Sequence, residues 1–174
     1  AFPNVAVQNL YGQTENTPAA TSLLDDAALT KIGSVGKPLA QTEVKLVNAD
    51  GEEVALGEVG EICVRGPQVM KGYLRNPEET SNTIRNGWLY SGDLGRFDDE
   101  GYLYIVDRKK DMIIRGGENI YPIEIEEVLY QMPEILEAAV VGIPHKVYGE
   151  VPKAFVVLKE DQALTDADII NYMK

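Results

Sequence analysis

The pattern of apolar residues changes at a short basic segment, residues 108–115, and no other feature constrains the fold of this chain more strongly. Before this segment, apolar and polar residues alternate in short runs such as 43–48 and 60–65, which is typical of antiparallel hairpins. After it come a helical pattern, two strand patterns and a second helical pattern. We therefore predict an α+β fold with two domains, an antiparallel β-barrel or β-sheet over residues 1–109 and a small α+β domain over residues 110–174.

The net charge argues against one class of partner. The chain carries a formal charge of −12, whereas binding to a nucleic acid requires an excess of Lys and Arg on one face, so we expect no nucleic-acid partner. The dense basic cluster of Arg108, Lys109, Lys110 and Arg115 could instead serve one small anionic ligand. From spacing alone, a solvated charged surface explains the same residues equally well.

Several features indicate the setting of the protein. No apolar run reaches the roughly 18 residues that span a bilayer and no signal peptide is visible, so we expect a soluble, cytoplasmic protein without a transmembrane segment. Cys63 is the only cysteine, which excludes a disulfide framework. The chain begins at Ala1 inside a strand-like run and stops at Lys174 inside a helical pattern, and we expect it to be an excised fragment.

The first candidate site is the segment YGQTENT, residues 11–17, which follows a strand-like run at residues 5–10. The ring of Tyr11 can stack on a base, the hydroxyl of Thr14 can contact a phosphate, and Glu15 offers a hard oxygen for Mg²⁺. By chemistry alone, a polar turn with a hydrogen-bonded tyrosine explains this segment better than a ligand loop does.

The second candidate is Asp93, which lies between two glycines in the segment SGDLG. A carboxylate there can accept two hydrogen bonds from a ribose diol. An Asx turn, in which the side chain bonds its own backbone, is the slightly favoured alternative. His145, the only histidine, has no second ligand or nucleophile nearby in sequence, and we interpret it as a surface residue.

Capping signals predict three helices. Asn76 followed by Pro77 predicts a helix over residues 77–85, Pro122 opens a second helix with an apolar stripe, and Thr165 caps a third. Residues 17–38, which are rich in Ala, Thr, Gly and Pro, are predicted to form a connecting loop.

Taken together, three motifs resemble those of the adenylate-forming enzymes, the superfamily of acyl-CoA synthetases, firefly luciferases and peptide-synthetase adenylation domains. They are Y-G-x-T-E, Y-S-G-D-L-G and D-R-x-K-D-x-I-x-x-G-G-E-N-I-Y-P-x-E-I-E, in this order and across nearly the whole chain. The segment GGENIYPIEIEEVL is most similar to fatty-acid or medium-chain acid CoA ligases. The resemblance implies two half-reactions: a carboxylic acid and ATP give acyl-AMP and pyrophosphate, and the thiol of coenzyme A then displaces AMP.

The resemblance also implies ligands and site residues. The ligands are ATP or AMP, Mg²⁺, coenzyme A and a small carboxylic acid. The implied nucleotide contacts are Asn9 to the adenine amino group, Tyr11 stacked on adenine, Thr14 at the phosphate, Asp93 at the ribose hydroxyls and Arg108 at the ribose and phosphate. The other implied roles are Glu15 as the Mg²⁺ ligand, Lys110 as the hinge of a rotating lid, and Gly116 and Gly117 on the loop that approaches the pantetheine arm.

Parts of the family pattern are missing from the chain. A phosphate loop and most of the acid pocket are expected upstream of Ala1, and the catalytic lysine is expected beyond Lys174, so the chain holds no catalytic residue. Residues 1–109 would be the distal part of a large N-terminal domain, and residues 110–174 an incomplete lid. Without the rest of that domain, we expect residues 1–30 to be poorly ordered or packed in a non-native way.

Two alternatives remain open at this point. An acyl-AMP ligase or a peptide-synthetase adenylation domain would share the first half-reaction but use a different acceptor. A non-catalytic binding or scaffold fragment would keep only the hinge and the sheet.

We predict that the chain by itself catalyses neither half-reaction, because the implied phosphate loop and catalytic lysine lie outside it. Incubated with ATP and a fatty acid, it should release no pyrophosphate above an enzyme-free blank in a coupled assay. Measurable release of pyrophosphate would contradict this prediction.

Overall fold

The computed structural model describes residues 8–173 and contains two compact units, of which one ends at Val106 and the other begins at Asp107. The boundary predicted between residues 109 and 110 lies in the basic segment near the start of the second unit. Residues 5–7 of the first predicted strand are outside the described residues.

The larger sheet has eight antiparallel strands in the order β1-β2-β3-β8-β7-β5-β4, with β6 paired to β7. The strands are β1 (Asn9–Tyr11), β2 (Thr21–Leu23), β3 (Ser34–Pro38), β4 (Glu43–Val47), β5 (Gly60–Arg65), β6 (Ile84–Arg85), β7 (Trp88–Phe97) and β8 (Leu103–Arg108). The helical segments between them are a 3₁₀ helix at Thr14–Asn16, α1 (Asp25–Thr30) and α2 (Pro77–Thr83). Within residues 8–173 the end strands β1 and β4 do not pair with each other, so the sheet is open and not a closed barrel.

The smaller sheet lies in the second unit and has four antiparallel strands in the order β10-β9-β12-β11. Its elements are β9 (Ile113–Arg115), β10 (Glu118–Ile120), α3 (Pro122–Leu129), β11 (Ile135–His145), β12 (Gly149–Leu158) and α4 (Asp166–Tyr172). The hydroxyl of Thr165 accepts a hydrogen bond from the backbone N–H of Asp168 at 3.3 Å, which confirms the predicted cap of the last helix. The α+β class predicted from the sequence is confirmed.

The prediction of a connecting loop over residues 17–38 is wrong, because this segment contains β2, α1 and β3. Two polar side chains explain the error. Thr21 and Ser34 are fully buried, and their hydroxyls donate to the backbone oxygens of Val35 at 2.7 Å and Leu103 at 2.8 Å. Polar side chains of this kind often indicate loops in a sequence, but here the hydroxyls of Thr21 and Ser34 bond the backbone inside the sheet.

Two further expectations are corrected. The helix predicted over residues 77–85 ends at Thr83, because Ile84 and Arg85 pair with the start of β7 as β6. The expectation that residues 1–30 are poorly ordered or packed in a non-native way is wrong for its described part, residues 8–30. In that part β1 pairs with β2 in a regular register and β2 pairs with β3.

Each unit has its own apolar core. In the first unit the buried residues are Ala20, Leu46, Ile62, Val64, Leu89 and Leu103, and in the second they are Ile113, Leu129, Met132, Ile135 and Val140. Cys63 is completely buried in β5, in agreement with its interpretation as a strand residue. None of the helices formed by residues 8–173 has the length and apolar character needed to cross a membrane.

The first core provides a stability test with a matched control. Leu89 is completely buried, whereas Leu74 is 91% exposed in the same unit. Leu89→Ala should lower the free energy of unfolding by about 2–5 kcal/mol because it removes buried apolar surface and leaves a cavity. Leu74→Ala should change it by no more than about 0.5 kcal/mol. Urea unfolding followed by circular dichroism measures both, and equal effects would contradict this assignment of the core.

Candidate functional site

The two motifs of the first unit meet through one hydrogen bond. The phenol of Tyr11, at the end of β1, donates to Oδ2 of Asp93 in β7 at 2.8 Å, although 82 positions separate the two residues in the chain. A second contact joins the same segments, because the side-chain amide of Gln13 donates to the backbone oxygen of Ser91 at 3.4 Å. A ring that can stack on a base therefore lies beside a carboxylate that can accept hydrogen bonds from hydroxyl groups.

The environment of Tyr11 stabilises its neutral form. Burial is the main cause that raises the pKa of the Tyr11 phenol far above its ordinary value, and the neighbouring Asp93 carboxylate raises this pKa further. The phenol therefore stays protonated, and remains a hydrogen-bond donor, to a higher pH than an ordinary tyrosine does.

Asn9 is also fixed by a hydrogen bond. Its side-chain amide nitrogen donates to the backbone oxygen of Ser34, in β3, at 2.9 Å. Asn9 and Tyr11 are two positions apart on β1, so their side chains leave the strand on the same face. Because the nitrogen of Asn9 is anchored, its amide oxygen is oriented as the remaining acceptor.

Glu15 is held by a residue that the sequence analysis missed. The phenol of Tyr73 donates to Oε1 of Glu15 at 2.9 Å, and the backbone N–H of Met70 donates to the Glu15 carbonyl oxygen at 2.8 Å. Burial raises the pKa of Tyr73, and its hydrogen bond to Glu15 raises this pKa further. Tyr73 is 58 residues from Glu15 in the chain, and no local pattern connects them.

The turn interpretation of residues 11–17 is also correct in part. Thr14, which is exposed, and Glu15 lie in the 3₁₀ helix, and the buried Asn16 accepts from the backbone N–H of Gln13 at 2.8 Å to cap it. The side-chain nitrogen of Asn16 has no hydrogen-bond partner among residues 8–173. The segment is therefore a capped turn that presents polar groups.

The basic segment, residues 108–115, lies at the start of the second unit. Arg108 is exposed at the end of β8, and its backbone N–H donates to the carboxylate of Asp107 at 2.7 Å. Lys110 lines a cavity of about 390 Å³ within this unit. The acidic residues that line the same cavity are Asp107, Asp111, Glu126 and Glu150.

Gly116 and Gly117 form a two-residue turn that connects β9 and β10. Arg115 pairs with Glu118 across it, and the backbone φ angles of the two glycines are 62° and 94°. A two-residue hairpin turn of this kind requires positive φ at both positions, which only glycine adopts at little cost. Beside the turn, the Arg115 guanidinium lies 4.2 Å from the ring centre of Tyr148.

Comparisons with known protein families match segments at both ends of the chain. A family profile described as AMP-binding enzyme matches residues 1–74, and one described as AMP-binding enzyme C-terminal domain matches residues 124–174. The chain belongs to the AMP-binding, or adenylate-forming, enzymes.

Relatives of this adenylate-forming chain include ligases from bacilli. A 2-succinylbenzoate–CoA ligase of Bacillus mycoides (strain KBAB4) is 47% identical over 168 residues, which are 97% of this chain and 34% of the relative. A protein named putative acyl–CoA ligase YdaB, of Bacillus subtilis (strain 168), is 47% identical over 94% of this chain and 33% of its own length. The chain thus spans about a third of the length of the curated relatives it matches.

Solved structures of two enzymes also superpose on nearly the whole of this chain. The o-succinylbenzoate CoA synthetase MenE of Bacillus subtilis, in complex with the acyl-adenylate intermediate OSB-AMP, superposes with a TM-score of 0.88 at 42% identity and covers 97% of this chain and 34% of its own. The amide bond synthetase McbA of Marinactinospora thermotolerans has a TM-score of 0.85 at 34% identity and covers 95% of this chain and 34% of its own.

The bond between Tyr11 and Asp93 generates a pH-dependent prediction. Tyr11→Phe should lower the free energy of unfolding at pH 7 by about 1–2 kcal/mol because it deletes a partly buried hydrogen bond. Below about pH 10, the pKa of a tyrosine in an unfolded chain, this contribution is fully present. Above it, the unfolded chain loses the phenol proton while the folded chain retains it, so the unfolded state gains stability.

The difference in the free energy of unfolding between the original chain and Tyr11→Phe should therefore be constant up to about pH 9 and shrink from about pH 10 to about pH 11. Urea titrations at several pH values within this range measure it. A difference that stays constant over the range would show that burial does not raise the pKa of Tyr11.

Proposed function

We propose that the chain is part of an ATP-dependent acid–CoA ligase that makes an acyl-adenylate and then transfers the acyl group to coenzyme A. The hydrogen bond between Tyr11 and Asp93 carries this proposal, because it joins an adenine-stacking ring to a ribose-binding carboxylate. The 47% identity to a 2-succinylbenzoate–CoA ligase supports the same chemistry.

The described contacts suit a nucleotide in the first unit. A base stacked on Tyr11 would place its ribose near Asp93, whose carboxylate accepts hydrogen bonds from the two hydroxyls. Asn9 lies on the same face of β1, and its anchored amide leaves an oxygen to accept from the amino group of adenine. The adenosine part would therefore be recognised by a ring, a carboxylate and an amide oxygen.

Thr14 and Glu15 follow β1 in the chain. Thr14 suits contact with a phosphate, and Glu15 suits the metal ion that binds the phosphates. One carboxylate is a sufficient protein ligand for Mg²⁺, which keeps several waters and binds substrate phosphates. Glu15 fits this requirement because Tyr73 fixes its side chain through one oxygen, Oε1. When bound, Mg²⁺ would supply positive charge to the phosphate oxygens, while the exposed Thr14 would donate its hydroxyl to a phosphate.

In the second unit we propose the roles that the family implies. Arg108 would contact the ribose and phosphate, and its exposed position suits an anionic ligand. Lys110 would be the hinge residue of a rotating lid. Gly116 and Gly117 would approach the pantetheine arm, and their turn provides a narrow backbone surface without side chains.

The relatives favour a different acid from the one predicted. The sequence motif favoured a fatty acid, but the relatives described above include ligases of 2-succinylbenzoate and do not support that choice. We therefore propose 2-succinylbenzoate as the first acid to test. The similarity to an amide bond synthetase supports a second candidate, a ligase that transfers the acyl group to an acceptor other than coenzyme A.

A chimera tests the proposal directly. The equivalent third of Bacillus subtilis MenE is replaced by this chain, to which it is 42% identical. The chimera should convert 2-succinylbenzoate, ATP and coenzyme A to the thioester, because this chain would supply the nucleotide contacts. Asp93→Asn in the chimera should lower kcat/KM for ATP by at least about tenfold through loss of a charged acceptor for the ribose hydroxyls.

Asp99→Asn is the matched control for this chimera. It makes the same change of charge at an exposed position in the same unit, and kcat/KM should remain within about twofold of the parent chimera. A folded chimera without activity, or equal losses in the two variants, would contradict the proposed function. Formation of acyl-AMP without thioester would favour the second candidate.

A further inference from the structure

The strand that carries Asp93 departs from its ladder at that residue. Glu61 of β5 pairs with Leu94 of β7, and Cys63 pairs with Tyr90. Between these pairs, Ser91, Gly92 and Asp93 all lie opposite one residue of β5. Two extra residues on one strand form a bulge, which changes the direction in which side chains leave the sheet.

A buried charged residue holds this bulge, defined as Ser91, Gly92 and Asp93. Glu61 is only 7% exposed, and its Oε1 accepts a hydrogen bond from the backbone N–H of Gly92 at 3.2 Å. Gly92 has a φ angle of 77°, so the bulge also relies on a conformation that favours glycine. The other buried residues of β5 are apolar, so Glu61 is the one buried carboxylate of this strand. Burial of a carboxylate costs free energy unless the group is hydrogen-bonded.

Other contacts fix the two remaining residues of the bulge. The hydroxyl of Ser91 accepts from the backbone N–H of Asp93 at 3.1 Å, and Gln13 donates to the backbone oxygen of Ser91. Glu61 supplies the acceptor for the backbone N–H of Gly92, and a carboxylate acceptor bonds about twice as strongly as a neutral one. Loss of Glu61 would therefore release the centre of the bulge.

We propose that Glu61 is a positioning residue of the nucleotide site: its carboxylate fixes the bulge so that Asp93 faces Tyr11 and can bind the ribose hydroxyls. This inference rests on the proposed function for its ligand. It predicts a specific loss, because a misplaced Asp93 weakens ribose recognition and leaves the base and phosphate contacts intact.

Isothermal titration of the 174-residue chain with AMP and with 2′,3′-dideoxy-AMP tests this specificity. Glu61→Leu, which deletes the acceptor, should weaken AMP binding at least about tenfold and dideoxy-AMP binding by less than about threefold. Glu61→Gln retains an oxygen acceptor and should bind AMP within about threefold of the original chain. Equal losses for both ligands in Glu61→Leu, or no loss for either, would overturn the proposal.

Glu53→Gln is the matched control, since Glu53 is an exposed glutamate in the same unit and should leave the binding of both ligands unchanged. If the original chain binds neither ligand, that result counts against the proposed function. A second measurement then still decides the role of Glu61.

This second measurement uses stability and no ligand. Tyr11→Phe is introduced into the original chain and into the Glu61→Leu chain, and the midpoint of urea unfolding is recorded for all four proteins. If Glu61 holds Asp93 against Tyr11, Tyr11→Phe should lower the midpoint by less than half as much in the Glu61→Leu background as in the original chain. Additive shifts of the midpoint would overturn the proposal even without a nucleotide.

Discussion

The hydrogen bond from the Tyr11 phenol to the Asp93 carboxylate is the interaction on which the candidate site depends. It connects the first described strand of the larger sheet to the long strand β7, and both partners lie in motifs that are polar and unremarkable in isolation. Burial raises the pKa of the phenol and so extends to higher pH the range in which it can donate this hydrogen bond. Under the proposed function, this one contact would set where the base and the ribose of a nucleotide lie relative to each other.

The local elements were predictable where one strong signal decided them. The alternation around β5, the proline that opens α3 and the threonine cap of α4 were all visible in the sequence, because each depends on neighbours within a few residues. The segment of residues 17–38 was not predictable, since Thr21 bonds the backbone of Val35, 14 positions away, and Ser34 bonds that of Leu103, 69 positions away. A sequence shows that a side chain is polar and does not show what it bonds.

The same distinction applies to the candidate site. Asp93 and Tyr11 were recognised as chemically suitable residues, and the resemblance to a family assigned them roles. Their contact, the support of Glu15 by Tyr73 and the bulge next to Glu61 all involve residues that lie far apart in sequence. The glycine pair at 116 and 117 shows the opposite case, because a hairpin turn explains it fully in local terms before any ligand is considered.

The complete burial of Cys63 has a consequence for a protein proposed to act on a thiol. Thiol–disulfide exchange requires a thiolate that a second sulfur atom can reach. Coenzyme A in its oxidised, disulfide form cannot reach Cys63 in the folded first unit, so it would not form a mixed disulfide with this residue. Reagents that modify sulfhydryl groups would react with this side chain only when β5 leaves the sheet, which makes it an internal reporter of local opening.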